Sequence, residues 1–157
     1  MTDLARRVLQ ACRAKGWILA TAESCTGGMV AAALTQIAGS SDVVDRGFVT
    51  YSNNAKMQML GVLSATLDVY GAVSNQVAYE MATGALNAAN VDIAVAITGI
   101  AGPGPSAHKP EGRVCFALAQ KGRDTHCETV EFGAIGRENV RLKATEFALG
   151  LLLKAAQ

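Results

Sequence analysis

The chain has 157 residues, half of them hydrophobic and 17% charged, and 14 Lys and Arg against 13 Asp and Glu leave a formal net charge of +1. That length suits one domain over residues 1–157, and so balanced a charge excludes binding a nucleic acid by mass electrostatics, while the apolar content excludes disorder. No apolar run approaches the roughly 20 residues of a membrane span, and Met1-Thr2-Asp3-Leu4-Ala5-Arg6-Arg7 lacks the apolar block of a signal peptide, so the chain is expected in the cytoplasm, with neither membrane nor nucleic acid as partner.

Leu4, Ala5, Val8, Leu9 and Cys12 recur at helical spacing until Gly16 stops the pattern, which predicts a first helix of about three turns. Trp17 to Ala22 reads as a buried strand, Ser24 to Gly28 as a turn, and Met29 to Leu34 as a helix ending before Gly39-Ser40-Ser41. Arg46 to Ser52 has strand propensity, and Asn53-Asn54-Ala55-Lys56 opens another helical segment. Ser74 is placed to cap a helix running to Ala89, with Val77, Met81 and Ala85 and then Ala78, Ala82 and Leu86 on its apolar face. Asp92 to Ile97 is apolar without alternation, the pattern of a central strand covered on both faces. After a Gly- and Pro-rich loop, Val114 to Ala119 and Thr125 to Phe132 read as a hairpin about the turn Lys121-Gly122-Arg123-Asp124, and Ile135 to Ala155 as the last helix. The order α-β-α-β-α-α-β-β-β-α predicts a three-layer α/β/α sandwich with a mixed, mostly parallel sheet and one antiparallel hairpin.

Four polar clusters fall where strands end, the edge at which open α/β sheets bind ligands. They are Glu23 to Gly28, Tyr51 to Lys56, Thr98 to Gly104, and the pair Arg137 and Arg141. Ser24 sits at a strand-to-helix turn, as a helix cap or as a nucleophile whose oxyanion falls to the turn amides, which also suit a phosphate, or to those of the Gly99 to Gly102 loop, with Gly27 and Gly28 admitting a ligand closely. Cys25 is the competing nucleophile but has no activating histidine in view. Four cysteines (Cys12, Cys25, Cys115, Cys127) without a C-x-x-C pair, with only His108 and His126 beside them, point to buried free thiols and away from zinc or disulfides. Neither histidine is placed to serve Ser24. Lys56 is better placed: a desolvated lysine, neutral near pH 7, can take a serine proton, the alternative being an exposed helix lysine. Tyr51 can donate or relay a proton, or is a packed strand tyrosine. The Tyr51 and Lys56 spacing misses Tyr-x-x-x-Lys by one, and no Gly-x-Gly-x-x-Gly follows a strand, which argues against a nicotinamide-dependent oxidoreductase. Arg137 and Arg141, at i and i+4, grip a phosphate together or form a solvated face.

Thr21 to Gly28, Ala38-Gly39-Ser40-Ser41, Arg46 to Asn53 with Lys56, Gly71-Ala72-Val73-Ser74, and Thr98 to Pro103 together resemble the C-terminal domain family of the competence/damage-inducible protein CinA, over nearly the whole chain. Stand-alone members are known as nicotinamide-nucleotide amidohydrolases. The resemblance implies hydrolysis of the carboxamide of nicotinamide mononucleotide to nicotinate mononucleotide and ammonia, with no metal or organic cofactor and a homodimeric assembly. It places the catalytic Ser, Tyr and Lys on Ser24, Tyr51 and Lys56. Substrate binding is then expected of Thr26, Gly27, Gly28, Thr98, Gly99, Ile100, Ala101, Gly102, Arg137 and Arg141. The compact loop Pro105-Ser106-Ala107-His108 departs from the family pattern. The rival expectations are a non-catalytic nucleotide-binding module and a competence or damage-response interaction module.

Overall fold

A computed structural model describes residues 1–157. Its five-stranded sheet has the order β2-β1-β3-β4-β5, with β1 (Leu19–Glu23), β2 (Val44–Val49) and β3 (Ile93–Gly99) parallel, and β4 (Arg113–Gln120) and β5 (His126–Glu131) joined to them as an antiparallel hairpin. The expected α/β/α sandwich is what forms, with β3 at its centre.

The two faces of the sheet differ in side-chain size. Leu19, Ile93, Val95, Ile97, Val114 and Phe116 point to a core shared with α1 (Thr2–Lys15), α2 (Met29–Thr35) and α6 (Arg137–Ala156). Ala20, Ala22, Ala94, Ala96, Ala117 and Ala119 face α5 (Asn75–Ala89) and the end of α3 (Asn53–Leu60). Alternation along each strand sorts the residues, and the alanine face lets α5 lie close to the sheet. α1 ends at Gly16 in the left-handed region (φ 66), and Ser74 caps α5 by accepting from the Val77 N–H.

Three differences from the sequence reading have physical causes. A third helix, α4 (Ser64–Tyr70), stands between α3 and α5; it buries no residue, so it carries no apolar stripe to be read. β1 starts two residues later than expected and ends one later, taking in the wholly buried Glu23. β2 is shifted towards the N-terminus because its register on β1 runs from Leu19 against Val44 to Glu23 against Val49, which frees Thr50, Tyr51 and Ser52 to turn into α3. No helix is long and apolar enough to cross a membrane.

Candidate active site

The carboxyl ends of β1, β2 and β3 lie side by side. Two backbone bonds level them: the Ser24 N–H donates to the Ile97 carbonyl at 2.9 Å and the Thr50 N–H to the Glu23 carbonyl at 2.9 Å. Ser52 caps α3 by accepting from the Ala55 N–H at 3.0 Å, and this start aims Lys56, in the first turn, back under the strand ends. The Lys56 side chain is 1% exposed. Its Nζ lies 2.9 Å from Ser24 Oγ, 2.9 Å from the Thr50 carbonyl and 3.2 Å from the Tyr51 carbonyl.

Burial pulls the Lys56 amine down from its ordinary value to about 8, only partly offset by the nearby Cys25 sulfur. A neutral amine has two N–H donors and one lone pair. With the two N–H groups held by the Thr50 and Tyr51 carbonyls, the lone pair is left for the Ser24 hydroxyl. At Cys25, burial pushes the thiol up to about 12, against a smaller pull from its own backbone N–H. The thiol therefore stays protonated and unreactive beside a serine that has a base.

Ser24 and Lys56 open into a cavity of about 170 Å³, also lined by Cys25, Tyr51, Ala72, Val73, Thr98, Gly99, Ala101 and Arg137. A larger open groove of about 770 Å³ between β5 and α6 is lined by carboxylates, lysines and phenylalanines and holds no nucleophile with a base. Tyr51 meets Lys56 through its backbone; its phenol oxygen, on a side chain at the rim, accepts from Arg137 Nη2 at 3.0 Å.

Of the residues expected to bind substrate, Thr98, Gly99, Ala101 and Arg137 line this cavity. The others lie outside the lining, and most are engaged internally. Thr26 Oγ1 donates to Glu23 at 2.7 Å, Ile100 is built into the loop by the Arg113 carbonyl, and the Gly102 carbonyl accepts from Arg137 at 2.7 Å. The two arginines reach different partners. Arg141 donates to the Cys25 carbonyl at 3.0 Å and the Thr26 carbonyl at 3.4 Å, and its Nη2 would lie 3.1 Å from a Cβ at Gly27. Gly27 and Gly28 both have positive φ, so their glycines serve the turn itself.

The amides at the start of α2, expected to meet an oxyanion or phosphate, are already taken. Glu23 Oε1 accepts from the Val30 N–H at 2.9 Å, and Oε2 from the Ala31 N–H at 3.0 Å. An internal carboxylate thus occupies the helix's anion site and locks the Ser24 turn. Sequence reading named Glu23 only within its cluster; an acid just before a Gly-rich strand-to-helix turn was the available signal. His126 pairs with Glu128 on β5, and no group of three His, Cys, Asp or Glu is placed to hold a metal.

The sequence matches the CinA C-terminal domain over residues 1–156. The chain belongs to that family. It is 53% identical over 154 residues to the nicotinamide-nucleotide amidohydrolase PncC of Enterobacter agglomerans, covering 97% of this chain and 93% of that one. A CinA-like protein of Syntrophobacter fumaroxidans is 51% identical over 89% of this chain but only 33% of its own length. Among solved CinA-family structures, the Agrobacterium tumefaciens competence/damage-inducible protein superposes with a TM-score of 0.96 at 50% identity, covering 99% of this chain and 95% of that one. A Klebsiella pneumoniae family member gives 0.94 at 41%, covering 99% and 96%.

Proposed function

We propose that this CinA-family chain is an amidohydrolase that converts nicotinamide mononucleotide to nicotinate mononucleotide and ammonia, with Ser24 as nucleophile and Lys56 as base. The observation that carries the reading is the buried Lys56 Nζ at 2.9 Å from Ser24 Oγ inside a cavity of about 170 Å³. The substrate class, a nicotinamide nucleotide, is the one in the name of the PncC relative.

Lys56 takes the Ser24 proton as Oγ bonds to the carboxamide carbon. The tetrahedral intermediate collapses with loss of ammonia, which carries away the proton held by Lys56. Water then attacks the acyl-enzyme, again with Lys56 as base, and releases the carboxylate. Tyr51 acts as an electrostatic partner: its carbonyl orients the amine, and its phenol is bonded to Arg137 and to neither Ser24 nor Lys56. Arg137, at the cavity rim, is the cation suited to the substrate phosphate. The protein is read as a cytosolic homodimer that needs no metal or organic cofactor.

The test is to incubate the purified protein with nicotinamide mononucleotide and assay ammonia and nicotinate mononucleotide. Ser24→Ala should abolish both products while leaving Tm within a few degrees, because the serine hydroxyl caps no helix here and its partners are the Lys56 amine at 2.9 Å and, at 3.5 Å, the Tyr51 carbonyl. Turnover retained in that variant would remove Ser24 as the nucleophile.

A further inference from the structure

The attack of Ser24 on an amide, on the reading just given, builds negative charge on the carbonyl oxygen, and donors fixed in advance must meet it. A backbone N–H already bonded within the fold is not free to do so. Around the cavity, the Ser24 N–H is spent on Ile97, the Gly27 N–H on the Ser24 carbonyl, and the Ile100 N–H on the Arg113 carbonyl. No backbone oxygen and no other residue's side chain accepts from the N–H groups of Cys25 and Ala101, the Cys25 N–H meeting only its own sulfur, although these residues are 6% and 4% exposed. Buried unpaired amides are rare in folded proteins and call for a partner. Both residues line the cavity with Ser24 and Lys56.

Each of the two peptides is also held in place by its own carbonyl. The Ser24 carbonyl, in the plane that carries the Cys25 N–H, accepts from Gly27 at 3.0 Å; the Ile100 carbonyl, in the plane that carries the Ala101 N–H, accepts from Gly112 at 2.8 Å. We propose that the Cys25 and Ala101 N–H groups form the oxyanion hole, one from the residue after the nucleophile and one from the loop after β3. As the Ser24 proton passes to Lys56, the Oγ–C bond forms and the carbonyl π pair moves onto oxygen, which accepts from both amides. On collapse the pair returns, the C–N bond breaks, and the departing nitrogen takes the Lys56 proton. The thiol of Cys25 stays neutral, so no thiolate charge sits beside the oxygen.

Replacing Ala101 by lactate, which exchanges the N–H for an ester oxygen and keeps the side chain, tests one donor. The kcat for nicotinamide mononucleotide should fall roughly 10²- to 10³-fold with KM little changed. Affinity for the 3-formylpyridine analogue, which captures Ser24 as a hemiacetal, should fall in parallel while Tm barely moves; a purely structural lesion would move Tm and KM together. In the wild type, hemiacetal formation should shift the Cys25 and Ala101 amide protons downfield in NMR, a readout that stands even if the ester-containing chain does not fold. Wild-type kcat in the folded ester variant, or unmoved amide protons in the adduct, would overturn this assignment alone. A wild-type protein that releases no ammonia and forms no adduct would overturn the amidohydrolase reading itself.

Discussion

Lys56 is a buried amine without a carboxylate against it, and that combination ties catalysis and stability to the same titration. Only the neutral form can accept the Ser24 proton, so kcat/KM should rise with pH through an apparent value near 8. Lys56→Arg should be inactive, since a guanidinium stays charged throughout. For stability the sign follows from proton counts. Between about 8 and the ~10.4 of an unfolded lysine, the unfolded chain binds the proton that the folded one has shed, so this residue makes stability increase with pH. Its burial cost is therefore greatest below pH 8. Lys56→Met should be more stable than wild type near neutrality, by a margin that narrows by something on the order of 3 kcal/mol on going to alkaline pH. Paired denaturant titrations would check this, and a margin independent of pH would contradict it.

The elements around the site divide into those whose pattern announces their role and those whose role depends on contacts. The strand–turn–helix around Ser24 was legible from its serine, glycines and flanking apolar runs, and Lys56 stood out because no histidine was placed to serve. The work of α6 was not. Spacing puts Arg137 and Arg141 on one side of the helix, yet their long side chains reach different partners: Arg137 the rim of the cavity, Arg141 the carbonyls of the nucleophile turn. Helical periodicity fixes where a Cα lies and says little about where a guanidinium ends. The two arginines should therefore fail differently. Arg137→Ala should erase any preference for the mononucleotide over nicotinamide riboside, seen in kcat/KM for both substrates. Arg141→Ala should keep that preference and lower kcat on both, by roughly 10- to 100-fold, as the Ser24 turn loosens. Glu23 escaped notice for a related reason: a buried acid shows its purpose only once the amides it caps are known, and α4 escaped because it packs against the core through the half-buried Leu67 and carries no apolar stripe.

Across the whole molecule, the candidate site lies at one edge of the sheet. The site draws on the carboxyl ends of three adjacent parallel strands, and the β4–β5 hairpin turns at the opposite edge, since Gln120 pairs with Ile93 at the start of β3. Residues 121–124 are exposed. A short flexible Gly/Ser insertion between Gly122 and Arg123 should leave kcat/KM within about twofold of wild type. The same insertion between Ile100 and Ala101 should abolish turnover, and equal effects at the two positions would contradict this division of the sheet. Arg141 adds a consequence in time. A polypeptide leaving the ribosome N-terminus first exposes serine, lysine and all five strands before residue 141 emerges. The clamp on the Ser24 turn arrives last, so the nascent chain holds its chemistry in parts and becomes an enzyme only when its final helix docks.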